Sequence, residues 1–237
     1  MYINRIPRSF SGVSVGGNDA NTVLLLNCDG ADASTTFTDS SIGGSTHTIT
    51  AIGSAQVDTA VKKWGTASLL CDGAGDYVSV PAHSDFQGSG PFTVDFWFRY
   101  QGDGGYQSIY SYGGSSGPTK LIANIAITPS DTLEVVGGGM LIVGATTLLD
   151  NTLHHLAFMG DGNVAGGSRM IYLYIDGVLE GSKQLAYDWG VYDIWFGSNF
   201  SFPNDGLVGG NMDEIRYSNI ERWTSNFTPP TGPYSVL

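Results

Sequence analysis

Apolar residues recur along this chain in short runs with a period of two, and glycine-rich gaps separate the runs. Phe92–Tyr100 is the clearest. Phe92, Val94, Phe96, Phe98 and Tyr100 fall on one face, and Thr93, Asp95, Trp97 and Arg99 on the other, as a strand with one face on a core requires. Thr22–Cys28 is apolar on both faces and is expected to lie centrally in a sheet. Further strands are expected at His47–Ile52, Ala67–Cys71, Tyr77–Val80, Lys120–Ile127, Thr132–Val136, Met140–Val143, Leu153–Met159, Arg169–Ile175, Val191–Phe196 and Met212–Ser218. Between Ile175 and Val178 stands Asp176-Gly177, a pair suited to the two positive φ angles of a type I′ hairpin turn. No stretch keeps a helical period for three turns. Short strands with turn signals at close intervals and no helical crossovers predict an all-β, antiparallel two-sheet sandwich.

Composition agrees with that class. The 237 residues include 34 glycines, only 14% are charged, and 22 acids against 10 bases leave a net charge of −12. An acidic chain without a basic stripe repels phosphate backbones and anionic lipid, so neither nucleic acid nor membrane is expected as a partner. No run is long enough to span a bilayer, and Met1–Arg8 lacks the apolar core of a signal peptide. The chain is therefore expected to be cytosolic when made, or to be a mature fragment. Residues 1–20, which include Arg5 and Arg8, carry little apolar periodicity and read as an extended arm before a single domain over residues 21–237. Cys28 and Cys71 end two apolar runs without metal-binding spacing. Two buried free thiols are one reading, and a disulfide in an oxidising compartment is the other.

Several segments together carry a resemblance. They are Thr22–Gly30, Thr36–Ser41, Trp64–Gly73, Gly75–Pro81, Phe92–Trp97, His154–Ala157 with Ile171–Val178, and Met212–Ser218. In this order they resemble laminin-G-like domains of the concanavalin A-like lectin/glucanase superfamily, over roughly residues 22–234. The resemblance implies a jelly-roll sandwich, a central hairpin at His154–Val178, and pairing of Thr22–Cys28 with Met212–Ser218. The ending Arg222–Thr231 is similar to endings of such domains on bacteriophage virion proteins. That similarity implies a virion surface, decoration or adhesion protein, homo-oligomeric and tethered to other virion proteins by the arm, with cell-surface glycans as a further partner. The alternative is an extracellular carbohydrate-binding module. The sequence departs from the family where Cys28 and Cys71 replace aromatic residues and where Leu153 replaces a tryptophan.

Catalytic sets are weak. Glycosidases need two carboxyls across the scissile bond. The four glutamates, Glu134, Glu180, Glu214 and Glu221, have no acid two or four residues away on a credible strand. Asp213 and Glu214 are adjacent and should point to opposite faces. Gly113–Gly117 matches the nucleophile-elbow pattern but lacks the helix that the pattern needs. His154 and His155 alternate in direction and cannot act together, and His47 and His83 are isolated in sequence. No enzyme activity is expected. A sugar's C–H face stacks on aromatic rings, which makes Tyr106, Tyr110, Tyr112, Trp189 and Tyr192 candidate glycan contacts, although alternation sends about half of such residues into the core. Calcium needs clustered oxygens. Antiparallel pairing of the first and last strands would bring Asp29 near Asp213, with Asp72 ending a similar strand, so these three are candidate ligands of a structural calcium ion. The competing reading makes Asp29 and Asp72 simple Asp-Gly turn residues.

Overall fold

A computed structural model describes residues 17–73, 75–86, 90–114, 121–162, 169–185, 190–200, 206–207 and 209–235. Within them the chain is all β apart from a 3-10 turn at Ser84–Phe86. The first strands are β1 (Thr22–Leu26), β2 (Thr50–Ile52), β3 (Gln56–Asp58), β4 (Ser68–Cys71) and β5 (Tyr77–Val80). Next come β6 (Phe92–Arg99), β7 (Gln107–Gly113), β8 (Leu121–Ile127), β9 (Leu133–Gly137) and β10 (Met140–Val143). Last are β11 (His154–Gly160), β12 (Arg169–Ile175), β13 (Val178–Leu185), β14 (Asp193–Phe196) and β15 (Gly210–Ser218). They form two antiparallel sheets. One runs β13-β12-β11-β6-β15-β4-β3, with β1 also paired to β15, and the other runs β10-β9-β8-β7-β14-β5-β2. The inner faces of the two sheets meet in a continuous apolar core, giving the expected jelly-roll sandwich.

The alternation in Phe92–Tyr100 holds: all five residues of its apolar face lie in the core. β6 and β11 sit at the centre of their sheet, as expected. Asp176 and Gly177 take positive φ angles of 48° and 79°, and the hairpin closes on them. The turn also docks on the chain's last segment, where the Phe227 amide donates to the Gly177 carbonyl at 2.9 Å.

β1 departs from expectation. It is fully buried, yet among the described residues it pairs with β15 alone. Its other edge is covered by an irregular segment instead of a strand: the Leu25 amide donates to the Asp39 carboxylate at 3.0 Å, and the Ser40 amide to the Leu25 carbonyl at 2.8 Å. Apolar residues on both faces thus report burial, which a loop can supply as well as a neighbouring strand. β3 and β7 were not expected. β3 is three residues long, and a bulge between Ser108 and Tyr110 breaks the alternation of β7.

β15 is continuous in sequence but changes neighbours midway. Gly210–Met212 pair with β4, and Ile215–Ser218 pair with β1. The change falls at a bulge, where Glu214 has φ of 51° and the register against β6 shifts between Asp213 and Arg216. An extra residue in one strand bends it and raises its twist, which lets one strand serve two short partners.

Residues 17–20, assigned above to the arm, pack on the sandwich. The Asn18 amide donates to the Ser235 carbonyl at 3.0 Å, and Asn18 Nδ2 to the Ser40 carbonyl at 2.7 Å. Cys28 and Cys71 are buried free thiols, and burial pushes both above their ordinary range.

Candidate functional site

The outer faces of the two sheets differ. On the eight-stranded sheet, the C-terminal segment after β15 lies across the strands. Trp223 and Phe227 stack at 3.9 Å over His155, and with Ala157, Met159, Tyr172 and Tyr174 they form a second apolar cluster. Beneath it Asp95 accepts from Arg216 Nε at 2.9 Å and Nη2 at 3.0 Å, and from the Tyr234 hydroxyl. Burial alone would raise Asp95, but the Arg216 guanidinium beside it holds its carboxyl far below the usual range. Arg222 forks onto Asp19 at 3.0 Å and reaches Thr22 Oγ1 at 2.9 Å. This face is closed by the chain's own tail. His154 and His155 are each set against a carboxylate. The His154 ring bonds Asp176 at 2.7 Å, and His155 lies buried against Asp95.

The seven-stranded sheet keeps an accessible cleft of about 230 Å³, lined by Tyr106, Ser108, Leu121, Asn124, Ala126, Glu134, Val136 and Asn199. The strand period explains it. Ile125 and Ile127 of β8 and Leu133 and Val135 of β9 point into the core, so Asn124, Ala126, Glu134 and Val136 point out. Asn199 donates to Ser108 Oγ at 3.2 Å, fixing one wall. Asn124 Oδ1 is buried and has no hydrogen-bond partner among the described residues. Burial pushes the Glu134 carboxyl up. Tyr106, 52% exposed, stands at the mouth. Farther along the sheet, Trp195 stacks between Tyr77 and Phe200, each pair 4.1 Å apart.

Of the expected glycan contacts, Tyr106 alone lines this cleft among the described residues. Tyr110 and Tyr112 point inward and are 1% exposed, so no sugar can reach them. The Tyr112 hydroxyl donates to the Phe86 carbonyl at 2.8 Å. Tyr192 packs edge-on against Tyr112 at the core margin, 5.7 Å between ring centres, and is not a free platform. Trp189, Arg5, Arg8 and Ser115–Gly117 lie outside the described residues. The cleft's polar members, Ser108, Asn124, Glu134 and Asn199, carried no sequence signal as a group, because only the pairing of β7, β8 and β9 aligns them.

The three aspartates expected to share calcium do not come together. Asp29 accepts from the Thr66 hydroxyl at 2.8 Å and the Ala67 amide at 3.1 Å. Asp213 accepts from the Lys63 and Trp64 amides at 2.7 and 3.0 Å, and from the Glu214 amide at 2.8 Å. These two lie close enough to interact and clamp the 59–67 loop. Asp72 instead lies against Asp76, which accepts its amide at 3.1 Å. The bulge also defeats strict alternation at Asp213-Glu214. Both are buried, Glu214 accepting from Asn27 and from the Tyr234 amide. Burial first, then the neighbouring carboxylates, raises Asp213 to about 6 and Glu214 to about 7.

A metal-ligand set does form elsewhere. His47, His83 and Asp85 each offer a ligand atom within 4.8 Å of the others. Read one at a time, the two histidines had carried no signal.

The class defined by this architecture is a lectin-like β-sandwich. The chain belongs to the concanavalin A-like lectin/glucanases superfamily, whose laminin-G-type family model matches residues 72–223. No curated protein matches the sequence significantly. Among solved structures, Trypanosoma rangeli sialidase bound to 2,3-difluoro-KDN is similar at 13% identity and TM-score 0.63, over 93% of this chain and 34% of the sialidase. The binding domain of botulinum neurotoxin DC in complex with SialylT is similar at 12% identity and TM-score 0.58, over 85% of this chain and 48% of that one. A botulinum neurotoxin type C structure, from a toxin that depends on two ganglioside molecules to get into cells, gives 13% and 0.58 over 85% and 48%. The chain thus spans about a third of the sialidase and half of the neurotoxin structures, and the likeness is one of fold.

Proposed function

We propose that this domain is a non-catalytic glycan-binding module, and that the cleft beside Tyr106 takes one unit of a neutral glycan. The observation that carries the reading is an exposed aromatic ring, Tyr106, at the mouth of a cleft lined by Ser108, Asn124, Glu134 and Asn199. The ring face can cover a sugar's C–H groups while the polar side chains of the cleft meet its hydroxyls. The cleft is smaller than the ~300–1,000 Å³ pockets of drug-sized ligands, which suits a single ring. Among the described residues its lining holds a carboxylate, Glu134, and no basic residue, which disfavours an anionic sugar. The similar neurotoxin structures involve sialylated glycans, which supports glycan binding in general and contrasts with the charge of this cleft. Non-catalysis is supported by the burial of the two raised acids, Asp213 and Glu214, beneath a loop and the tail.

The test is a glycan array followed by calorimetry on the best neutral hit. Tyr106→Ala and Asn124→Leu are each expected to weaken binding at least tenfold while the thermal midpoint holds. Absence of binding to any neutral or sialylated glycan, or full binding by Tyr106→Ala, overturns the reading. As a setting, we propose display in several copies on a bacteriophage particle with residues 1–16 as the tether, a reading supported by the form of Arg222–Thr231. Deleting residues 1–16 is then expected to leave the thermal midpoint unchanged and abolish incorporation. Normal incorporation removes the tether.

A further inference from the structure

The loop before β2 and the 3-10 turn after β5 bring two imidazoles and one carboxylate to a single point. His47 Nε2 lies 3.4 Å from Asp85 Oδ2, and His83 Nδ1 lies 3.3 Å from the same oxygen. Two ligands bonded at 2.0–2.1 Å to a tetrahedral zinc ion stand roughly 3.4 Å apart, so both separations already match edges of such a site. We infer that His47, His83 and Asp85 form a binding site for a divalent zinc-type cation, with a fourth position open to solvent.

The surroundings support this set in two ways. First, His47 is built as a ligand. Its side chain is 4% exposed, and Nδ1 is held at 2.8 Å by Asp39, whose side chain is fully buried. Asp39 is itself fixed by the Leu25, Ser41 and His47 amides. A carboxylate that takes three amide donors accepts from the imidazole as well, so Nδ1 carries a proton and Nε2 is the nitrogen left to face outward. A carboxylate behind a histidine is the usual support of a metal-bound imidazole. Second, His47 Nε2 is buried and lacks a hydrogen-bond partner. It faces the Asp85 carboxylate oxygen at 3.4 Å, and a cation between them would bond both.

Asp85 is positioned by the Ser45 amide, which donates to Oδ2 at 2.8 Å, and by the missing side chain at Gly44, where a Cβ would lie 2.7 Å from that oxygen. His83 is the adjustable member. Its side chain is 38% exposed, and its Nδ1 accepts the Asp85 amide at 3.2 Å, a bond that a cation at Nδ1 would replace. Two nitrogen donors favour zinc over calcium or magnesium, which take oxygen sets. The ion would tie the loop before β2 to the 3-10 turn, and so to Phe86, which packs on the His47 ring at 4.5 Å. The site is separate from the glycan cleft: Tyr106 and Tyr112 mark opposite ends of β7, roughly 20 Å apart at strand rise, and Tyr112 is the end bonded to Phe86.

The experiment uses the full chain, purified without a histidine tag and stripped with a chelator. Zinc chloride alone is expected to bind at one per chain by calorimetry. At a hundredfold excess over Kd it should raise the thermal midpoint by roughly 5–10 °C. His83→Ala, at a partly exposed position, is expected to keep the apo midpoint and weaken zinc at least tenfold; Asp85→Asn should do likewise, and Asp72→Asn should bind as wild type. No stoichiometric binding by the wild type, equal binding by His83→Ala, or a midpoint moved by calcium and not by zinc overturns the site. None of these outcomes bears on glycan binding.

Discussion

Replacing Asp95 by asparagine should cost this protein more than any change at its surface. Asp95 and Arg216 are both 0% exposed, and the carboxylate takes two guanidinium bonds, the Tyr234 hydroxyl and a His155 contact at 3.4 Å. The substitution keeps the shape and removes the charge. Arg216 then keeps the Gly17 carbonyl at 3.0 Å and the rings of Tyr234 and Trp223, at 3.9 and 5.8 Å, as partners for a buried cation. Removing one member of a buried ion pair costs about 3–5 kcal/mol, whereas replacing both with apolar groups is often close to neutral. With a urea dependence near ~3 kcal/mol/M, Asp95→Asn should lower the unfolding midpoint by roughly 1–1.7 M, followed by tryptophan fluorescence at pH 7. The double variant Asp95→Leu with Arg216→Met should lie between the single variant and wild type. A single variant within about 1 kcal/mol of wild type, or a double variant less stable than the single, would refute the account of these groups as a charge pair deprived of water.

Stability should also rise as pH falls from 7.5 to about 5.5. Asp213 and Glu214 ionise near 6 and 7 in the folded chain, against ordinary values of 3.8 and 4.5. In that window the folded state therefore binds protons that the unfolded state has released. The Asp213 shift alone corresponds to roughly 3 kcal/mol. Below about pH 4 the trend should reverse, because Asp19, Asp39, Asp95 and Asp176 are held low and lose their partners on protonation. A thermal midpoint flat across 5.5–7.5, or an unchanged slope in Asp213→Asn, counts against this. Trp223→Ala should cost about 3–5 kcal/mol and speed proteolysis after β15 by unlocking the tail; equal cleavage rates in both proteins would contradict it. Gly177→Ala should cost roughly 2–4 kcal/mol, since a Cβ there would fall 1.8 Å from the Phe227 carbonyl oxygen at a φ of +79°. An unchanged urea midpoint would show that the turn does not press on the tail.

The fold was legible because each inward face repeats over several residues. Phe92–Tyr100 writes its alternation five times, and the Asp176-Gly177 turn is written in two residues with one geometry open to them. β7 was not legible. Its outward residues include Ser108 and Ser111, and the bulge shifts phase between Ser108 and Tyr110, so a buried strand reads as a serine- and tyrosine-rich loop. The same phase shift is why Tyr110 and Tyr112 looked like platforms and are core. The cleft was visible only in Tyr106, because its other walls come from three strands and a loop whose register no single segment records. His47 and His83 lie 36 positions apart with four strands between them. Their meeting is a property of the loop packing beside β1, which follows no periodic rule. At Asp213-Glu214 the alternation rule itself failed, since a residue at positive φ turns the next side chain off its expected side.

The bond between Asn18 and Ser235 makes the domain a closed loop in the topological sense, with its two connection points side by side. A unit of this kind can be spliced into a surface turn of another protein without forcing the host's flanking segments apart, because the gap it must bridge is one hydrogen bond wide. It can equally be cut open elsewhere and rejoined across residues 17 and 235, with the Gly137–Gly139 turn between β9 and β10 as a suitable new opening. Linear order along the gene is then a weak constraint on this sandwich, and the same fold can be carried at the end of a chain, in the middle of one, or in rotated order.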